Sequence, residues 1–169
     1  MTTKQMAKTA MIAAVYTVVS LVIAPLAYGP LQVRISEALT VLPLIYRPAI
    51  PGLTLGCCIT NVIGAMTGAN PAGYIDAVVG SLATFIAATL TWKLRDHKVK
   101  GIPVLSLLQP VFWNFLFVGA ELGFMLFPDN VLTGSLICGM EVAAGELISV
   151  IVGWFLVKWL ARTEIFKEG

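Results

Sequence analysis

Long apolar blocks separated by short polar breaks run the length of this chain. Six can be drawn, at about 6–27, 33–47, 49–65, 73–93, 102–127 and 133–160. A helix crossing a bilayer needs about 20 mainly apolar residues, so blocks of this kind predict membrane spans joined by short connections. The fourth block opens with Asp76, and the sixth is interrupted by Glu141 and Glu146. The second is short: only twelve residues separate Arg34 from Arg47, roughly 18 Å of α-helix against a core about 30 Å thick. It predicts either a re-entrant hairpin or a short tilted helix whose arginines snorkel to opposite interfaces.

The basic residues decide between these. Cytoplasmic loops collect Lys and Arg. Lys4 and Lys8 precede the first block, Lys93, Arg95, Lys98 and Lys100 follow the fourth, and Lys158, Arg162 and Lys167 close the chain. The first two clusters share a side only if an even number of crossings separates them, which requires the second block to cross. Arg47 then joins them, placing all but Arg34 of the 11 basic residues inside. The fold expected is an all-α integral membrane protein: one membrane domain over residues 1–169, a six-transmembrane-helix bundle, with both termini cytoplasmic. The uncharged stretch Thr9–Val33 outruns a signal-peptide core of about 7–15 residues and predicts a retained first span.

Composition narrows the function. Hydrophobic residues make up 58% and charged ones 12%, where a soluble domain carries roughly a quarter charged. This excludes a soluble globule, a disordered chain and a disulfide-stapled module. No Gly-x-x-x-x-Gly-Lys-Ser/Thr loop occurs, so ATP chemistry is not this chain's own. Cys57, Cys58 and Cys138 match no metal-ligand spacing and predict packing. His97 falls in a basic loop, away from the other candidate residues. Neither cofactor, metal nor nucleic acid is expected.

Small residues recur four apart at Ala10 and Ala14, Gly52 and Gly56, and Gly119 and Gly123, a spacing that lets membrane helices approach closely. The glycine pairs predict packing within the bundle. Ala10 and Ala14 suit either packing or an outward face for another membrane protein.

Five acids fall in or against the membrane: Glu37, Asp76, Glu121, Glu141 and Glu146. An ionised group at the centre of a span costs at least about 2–3 kcal/mol, so each needs a partner, a proton or a wet cavity. With the topology above, Glu121 and Glu141 lie about 10 Å below the outer surface. Arg34, Glu37, Asn61 and Asp76 lie near the outer ends of their spans, and Asn114 and Glu146 lie deeper. Polar residues thus gather in the outer half, predicting a cup rather than a pore, which would need polar lining at both depths. On the fifth span Asn114 and Glu121 share a face with Phe117, Val118 and Phe124 close by, and Trp113 flanks it, either as a stacking ring or as a packing residue. An amide, a carboxylate and aromatic faces suit a flat heteroaromatic ligand. One arginine does not neutralise five carboxylates, so the cup favours a cation or a donor-rich neutral molecule. The blander alternative is that several acids are protonated or pair among themselves.

One stretch is more specific than any of this. Tyr28-Gly-Pro-Leu-Gln-Val-Arg-Ile-Ser-Glu-Ala-Leu-Thr-Val-Leu-Pro43, with Ala49-Ile-Pro-Gly-Leu53, Asn61 and Asp76-x-x-x-Gly-Ser-Leu-Ala-Thr84, closely resembles the QueT family over roughly the first half of the chain. These are substrate-binding (S) components of energy-coupling factor (ECF) transporters in prokaryotic plasma membranes. The resemblance implies a six-helix S-component whose outer site is closed by the loops after spans one and three. It implies a queuosine precursor as ligand, a 7-deazaguanine such as preQ1, preQ0 or queuine. It implies as partners a transmembrane coupling subunit, EcfT, with two ATPases, for which Ala10 and Ala14 resemble the docking face. A carboxylate would bind the amino and ring N–H edge, an amide the carbonyl, and a second carboxylate an aminomethyl ammonium. The main rival is a small proton-coupled carrier or channel for an organic cation, with Glu141 or Glu146 as relay. An intramembrane enzyme lacks an activated nucleophile, a metal site or a catalytic histidine.

Overall fold

A computed structural model describes residues 1–23, 34–70, 72–163 and 165–166. Those residues form five long α-helices and one 3-10 helix, with no strand among them. The long helices are α1 (Thr3–Val22), α2 (Ala49–Thr67), α3 (Tyr74–Leu94), α4 (Val104–Leu126) and α5 (Val131–Leu160). Each is long and apolar enough to cross a membrane. The 3-10 helix, Ile35–Leu44, stands between α1 and α2. The first block's expected end at residue 27 and the loop after it lie outside the described residues.

Local chemistry sets the helix ends. Thr2 caps α1: its side chain accepts from the Gln5 N–H at 3.2 Å and its own N–H donates to Gln5 Oε1 at 2.9 Å, a reciprocal box that satisfies two otherwise unpaired donors. Pro48 and Pro51 stand at the start of α2, where the missing N–H costs nothing, and Gly68 ends it in the left-handed conformation. Lys100 and Gly101, both with positive φ, reverse the chain between α3 and α4 in the manner of a two-residue hairpin turn. Inside α4, Pro110 removes the N–H that would bond the Ser106 carbonyl. The buried Thr91 hydroxyl of α3 donates to that carbonyl instead, at 3.1 Å.

α1 and α2 run parallel. Thr9 Oγ1 donates to the Pro48 carbonyl at 2.9 Å, and Thr17 Oγ1 to the Gly56 carbonyl at 3.2 Å. A Cβ on Gly52 would stand 2.7 Å from the Thr9 carbonyl oxygen, and one on Gly56 2.9 Å from Tyr16 Cβ. The Gly52 and Gly56 pair therefore packs as expected. Parallel neighbours require the chain to return between them. The 3-10 helix makes that return, from Arg34 beside the first turn of α3 to Tyr46 beneath Lys8 of α1. At about 2.0 Å per residue its ten residues cover about 20 Å, further than the same residues would as an α-helix. The expected α-helical second block is corrected in this respect: it is a stretched 3-10 helix. It lies so close to α5 that a Cβ on Gly153 would collide with the Ala38 carbonyl.

α4 and α5 pack through Gly119, where an added Cβ would stand 2.6 Å from Gly139 Cα, and through Gly123 against Ser135. The main apolar core (Val41, Leu42, Tyr46, Leu53, Ala88, Val150 and Val157 among others) extends from Tyr46 at the end near Lys8 up to Tyr16 and Cys57, which meet Glu37 and Asn61. Outward faces remain apolar: Met11, Val18, Val78, Phe85, Phe112, Met140, Ile151 and Phe155 are exposed. An apolar surface of this extent marks contact with lipid. Between helices, contact then comes from close packing of small residues rather than from exclusion of water.

The same end of the bundle collects the basic residues. Arg47 and Lys93 line one hollow, and Arg95, Lys98 and Lys158 another. Lys8 Nζ donates to the Ile165 carbonyl there and lies over the rings of Tyr46 and Phe166. Residues near both ends of the chain thus meet at one basic end.

Candidate ligand-binding site

Helix phase decides which polar side chains meet at the opposite end. On α4, Asn114, Val118 and Glu121 follow one another on one face and are buried. On α5, Cys138, Val142, Gly145, Glu146 and Ser149 share the inward face. Asn114 Nδ2 donates to Glu146 Oε1 at 2.8 Å, tying the two helices together near mid-depth. One turn on, Ser149 Oγ donates to the Arg34 backbone carbonyl at 3.0 Å, which joins this face of α5 to the start of the 3-10 helix.

Arg34 Nη2 in turn donates to Asp76 Oδ2 at 3.0 Å. The same oxygen accepts from Asn70 Nδ2 at 2.9 Å, and Asn61 Nδ2 donates to the Asp76 backbone carbonyl at 2.9 Å. Asp76 sits in the first turn of α3, where unpaired helix N–H groups favour a carboxylate. From α1, the Tyr16 hydroxyl donates to Glu37 Oε1, and Ser20 Oγ donates to Ser36 Oγ at 2.6 Å. The half of the bundle away from the basic end therefore holds a connected set of buried polar groups. The other half offers mainly hydroxyls bonded to backbone, such as Thr40 to the Glu37 carbonyl and Thr91 to that of Ser106.

This set is short of donors. Glu37 Oε2, Asp76 Oδ1, both oxygens of Glu121 and Glu146 Oε2 are buried and accept no hydrogen bond from the described residues. Arg34 lies near enough to attract Glu37, Glu121 and Glu146 as well as Asp76. One cation among four acids leaves the region acceptor-rich. An unmatched buried acceptor costs about 1–3 kcal/mol, so the arrangement suits a molecule that brings N–H donors or positive charge. Beside it, Glu121 faces a groove of about 480 Å³ between α3 and α4, lined otherwise by apolar groups including Ile75, Val79, Phe117 and Phe124.

Of the residues read from the sequence, Arg34, Glu37, Asn61, Asp76, Asn114, Glu121 and Glu146 come together here. Two stand elsewhere. Glu141 is exposed on α5 on the same side as exposed Ile137 and Met140. It precedes Glu146 by five residues, which at about 100° per residue turns it to another side of the helix. Trp113, one step from Asn114, is half-buried and turned aside; its indole N–H donates to Gln109 Oε1 at 3.1 Å, and its ring meets Phe112 and Phe117. Phe124 lines the groove but is 70% exposed, not enclosed beside Asn114. Tyr16, Ser20, Ser36, Asn70 and Ser149 belong to the set without having been singled out. Ser149 had a signal, since it follows Glu146 by three residues on a helix. Ala10 and Ala14 are exposed on α1, on the face that also exposes Met11, Val15 and Val18.

No solved structure matches the chain. A protein from Lactococcus lactis subsp. cremoris (strain MG1363), named Queuosine precursor transporter QueT, is 25% identical over 163 residues, covering 90% of this chain and 89% of the relative. The sequence profile of the family described as QueT transporter matches residues 6–162. That match runs from α1 through the end of α5 and takes in every buried acid of the polar set, so the chain belongs to the QueT transporter family and is a transport protein rather than an enzyme.

Proposed function

We propose that this chain is the substrate-binding subunit of an ECF-type importer and captures a queuosine precursor, a 7-deazaguanine, from outside the cell. On this reading it is one membrane domain of six crossings, the 3-10 helix being the second, in a prokaryotic plasma membrane. The basic end, with both termini, faces the cytoplasm. The observation that carries the ligand class is the donor deficit among the described residues: buried carboxylate oxygens on Glu37, Asp76, Glu121 and Glu146 to which none of them donates. A 7-deazaguanine supplies an amino group and ring N–H groups, and its aminomethyl form adds a cation. Arg34, Asn61 and Asn114 hold the acids in place and bring the donors of the site. Hydrocarbon packing in the basic half offers the ligand no path onward, so movement across the membrane falls to the coupling subunit and its ATPases.

Calorimetric titration of the purified protein tests this. The aminomethyl deazaguanine should bind at least about tenfold more tightly than guanine, because a charge-assisted bond contributes about 1.5–3 kcal/mol. Vesicles holding the protein alone, without ATP, should accumulate none of it. Uptake by the isolated protein would establish the proton-coupled carrier instead.

The exposed Ala10 and Ala14 face support α1 as the surface for the coupling subunit, since small residues let membrane helices approach closely. Ala10→Trp should leave ligand affinity unchanged and abolish co-purification with the coupling subunit. A normal complex would remove this face from the interface.

A further inference from the structure

At the basic end, the first turns of α1 and α2 and the last turns of α3 enclose a hollow of about 880 Å³. Its lining changes with depth. Lys93, Thr89 and Phe85 follow one another at successive turns of α3 and all line it; the rise from Lys93 to Phe85 is about 12 Å. Lys93, with Arg47 and Gln5, marks the polar mouth. Trp92 and Thr89 form the neck, and Phe85, Ile50 and Pro51 line the apolar part.

Among the described residues, no acid pairs with either cation at the mouth. The ion pairs among the described residues join Arg34 to Asp76 and Arg95 to Asp96, and no acid lines this hollow. At the neck, Thr89 Oγ1 is buried with no hydrogen-bond partner. Two unpaired cations and an unsatisfied hydroxyl above an apolar shaft ask for an anion attached to a hydrocarbon chain. A soluble anion would satisfy the mouth and leave the shaft empty. An acidic side chain of a partner protein would not reach down to Phe85.

We infer that this hollow binds one anionic phospholipid. Its phosphate lies between Arg47 and Lys93, its glycerol region beside Thr89 and Trp92, and an acyl chain along Phe85. Basic pockets between membrane helices hold such headgroups, and tryptophan favours this interfacial level. The lipid would join α1, α2 and α3 where the cations otherwise repel one another. The inference depends on the helices lying in a bilayer and not on the identity of the transported molecule, so its test leaves the ligand out.

The full chain is purified in detergent with equimolar phosphatidylglycerol and phosphatidylcholine, and retained lipid is counted by native mass spectrometry. One phosphatidylglycerol per chain should be retained in preference to phosphatidylcholine. The double variant Arg47→Gln with Lys93→Gln should lower that retention about tenfold. Lys98→Gln with Lys100→Gln, an equal loss of charge at the same end, should leave it unchanged. Thr89→Phe, which blocks the neck without altering charge, should lower retention to a similar degree and keeps the test open if the first variant fails to fold. Equal loss in both charge variants would show diffuse attraction and overturn the site. Full retention by the Arg47 and Lys93 variant would do the same, even if assembly with a partner protein were lost. Displacement of the lipid by millimolar glycerol 3-phosphate would reassign the hollow to a soluble phosphate.

Discussion

Asp76→Ala is expected to destabilise the protein by about 3–5 kcal/mol, read as a lowered midpoint of thermal or detergent-induced unfolding. Arg34 and Asp76 are 13% and 1% exposed and bond at 3.0 Å. In such a place the attraction of a pair little more than offsets the cost of taking both charges out of water, but removing one partner leaves the other buried and uncompensated. The truncation also strands the Asn70 amide, which shares Asp76 Oδ2. Arg34 anchors the 3-10 helix through its carbonyl to Ser149 as well, so disorder at Asp76 spreads from α3 to α5. Asp76→Asn, which keeps the shape and one acceptor, should lose roughly half as much. A change under about 1 kcal/mol in the alanine variant would equate the pair with an exposed salt bridge and remove it as the clasp of the bundle.

That clasp was legible only in part from the residues. Charge counting required an even number of crossings between Lys8 and Lys93; what the described residues show is the parallel register of α1 and α2 through Thr9 and Pro48. Hydropathy found the five long helices, because each presents a continuous apolar surface to lipid. It did not find the 3-10 form of Ile35–Leu44, because apolar content is blind to helix type; there the distance to be covered and the contact of Ala38 with Gly153 decide. Periodicity within one helix put Asn114 and Glu121 together correctly. It was not carried across Glu141 and Glu146, where five residues of helix turn one acid outward and leave the other inside. Asn70 lies beyond any periodic pattern, in the turn before α3, and its bond to Asp76 is a tertiary contact.

Glu121 is the acid whose role is most separable from folding. Both of its oxygens are buried and neither accepts a hydrogen bond from the described residues, whereas Glu37 is held by Tyr16 and Glu146 by Asn114. Asp76 repels it. Glu121→Gln therefore removes no hydrogen bond made by the described residues and ends a repulsion together with an attraction, so the unfolding midpoint should stay close to that of the parent protein. Ligand affinity should fall about tenfold or more, the loss of one charge-assisted hydrogen bond, with the amide's own N–H groups now facing the donor edge of the base. Asn114→Ala supplies the contrast: it strips Glu146 of its donor, and both the midpoint and the affinity should fall. Calorimetry and thermal unfolding on the same preparations separate the cases. Unchanged affinity in Glu121→Gln would take Glu121 out of the site, and a matching loss of stability would make its part structural, leaving the donor deficit to be met by the protein itself rather than by a ligand.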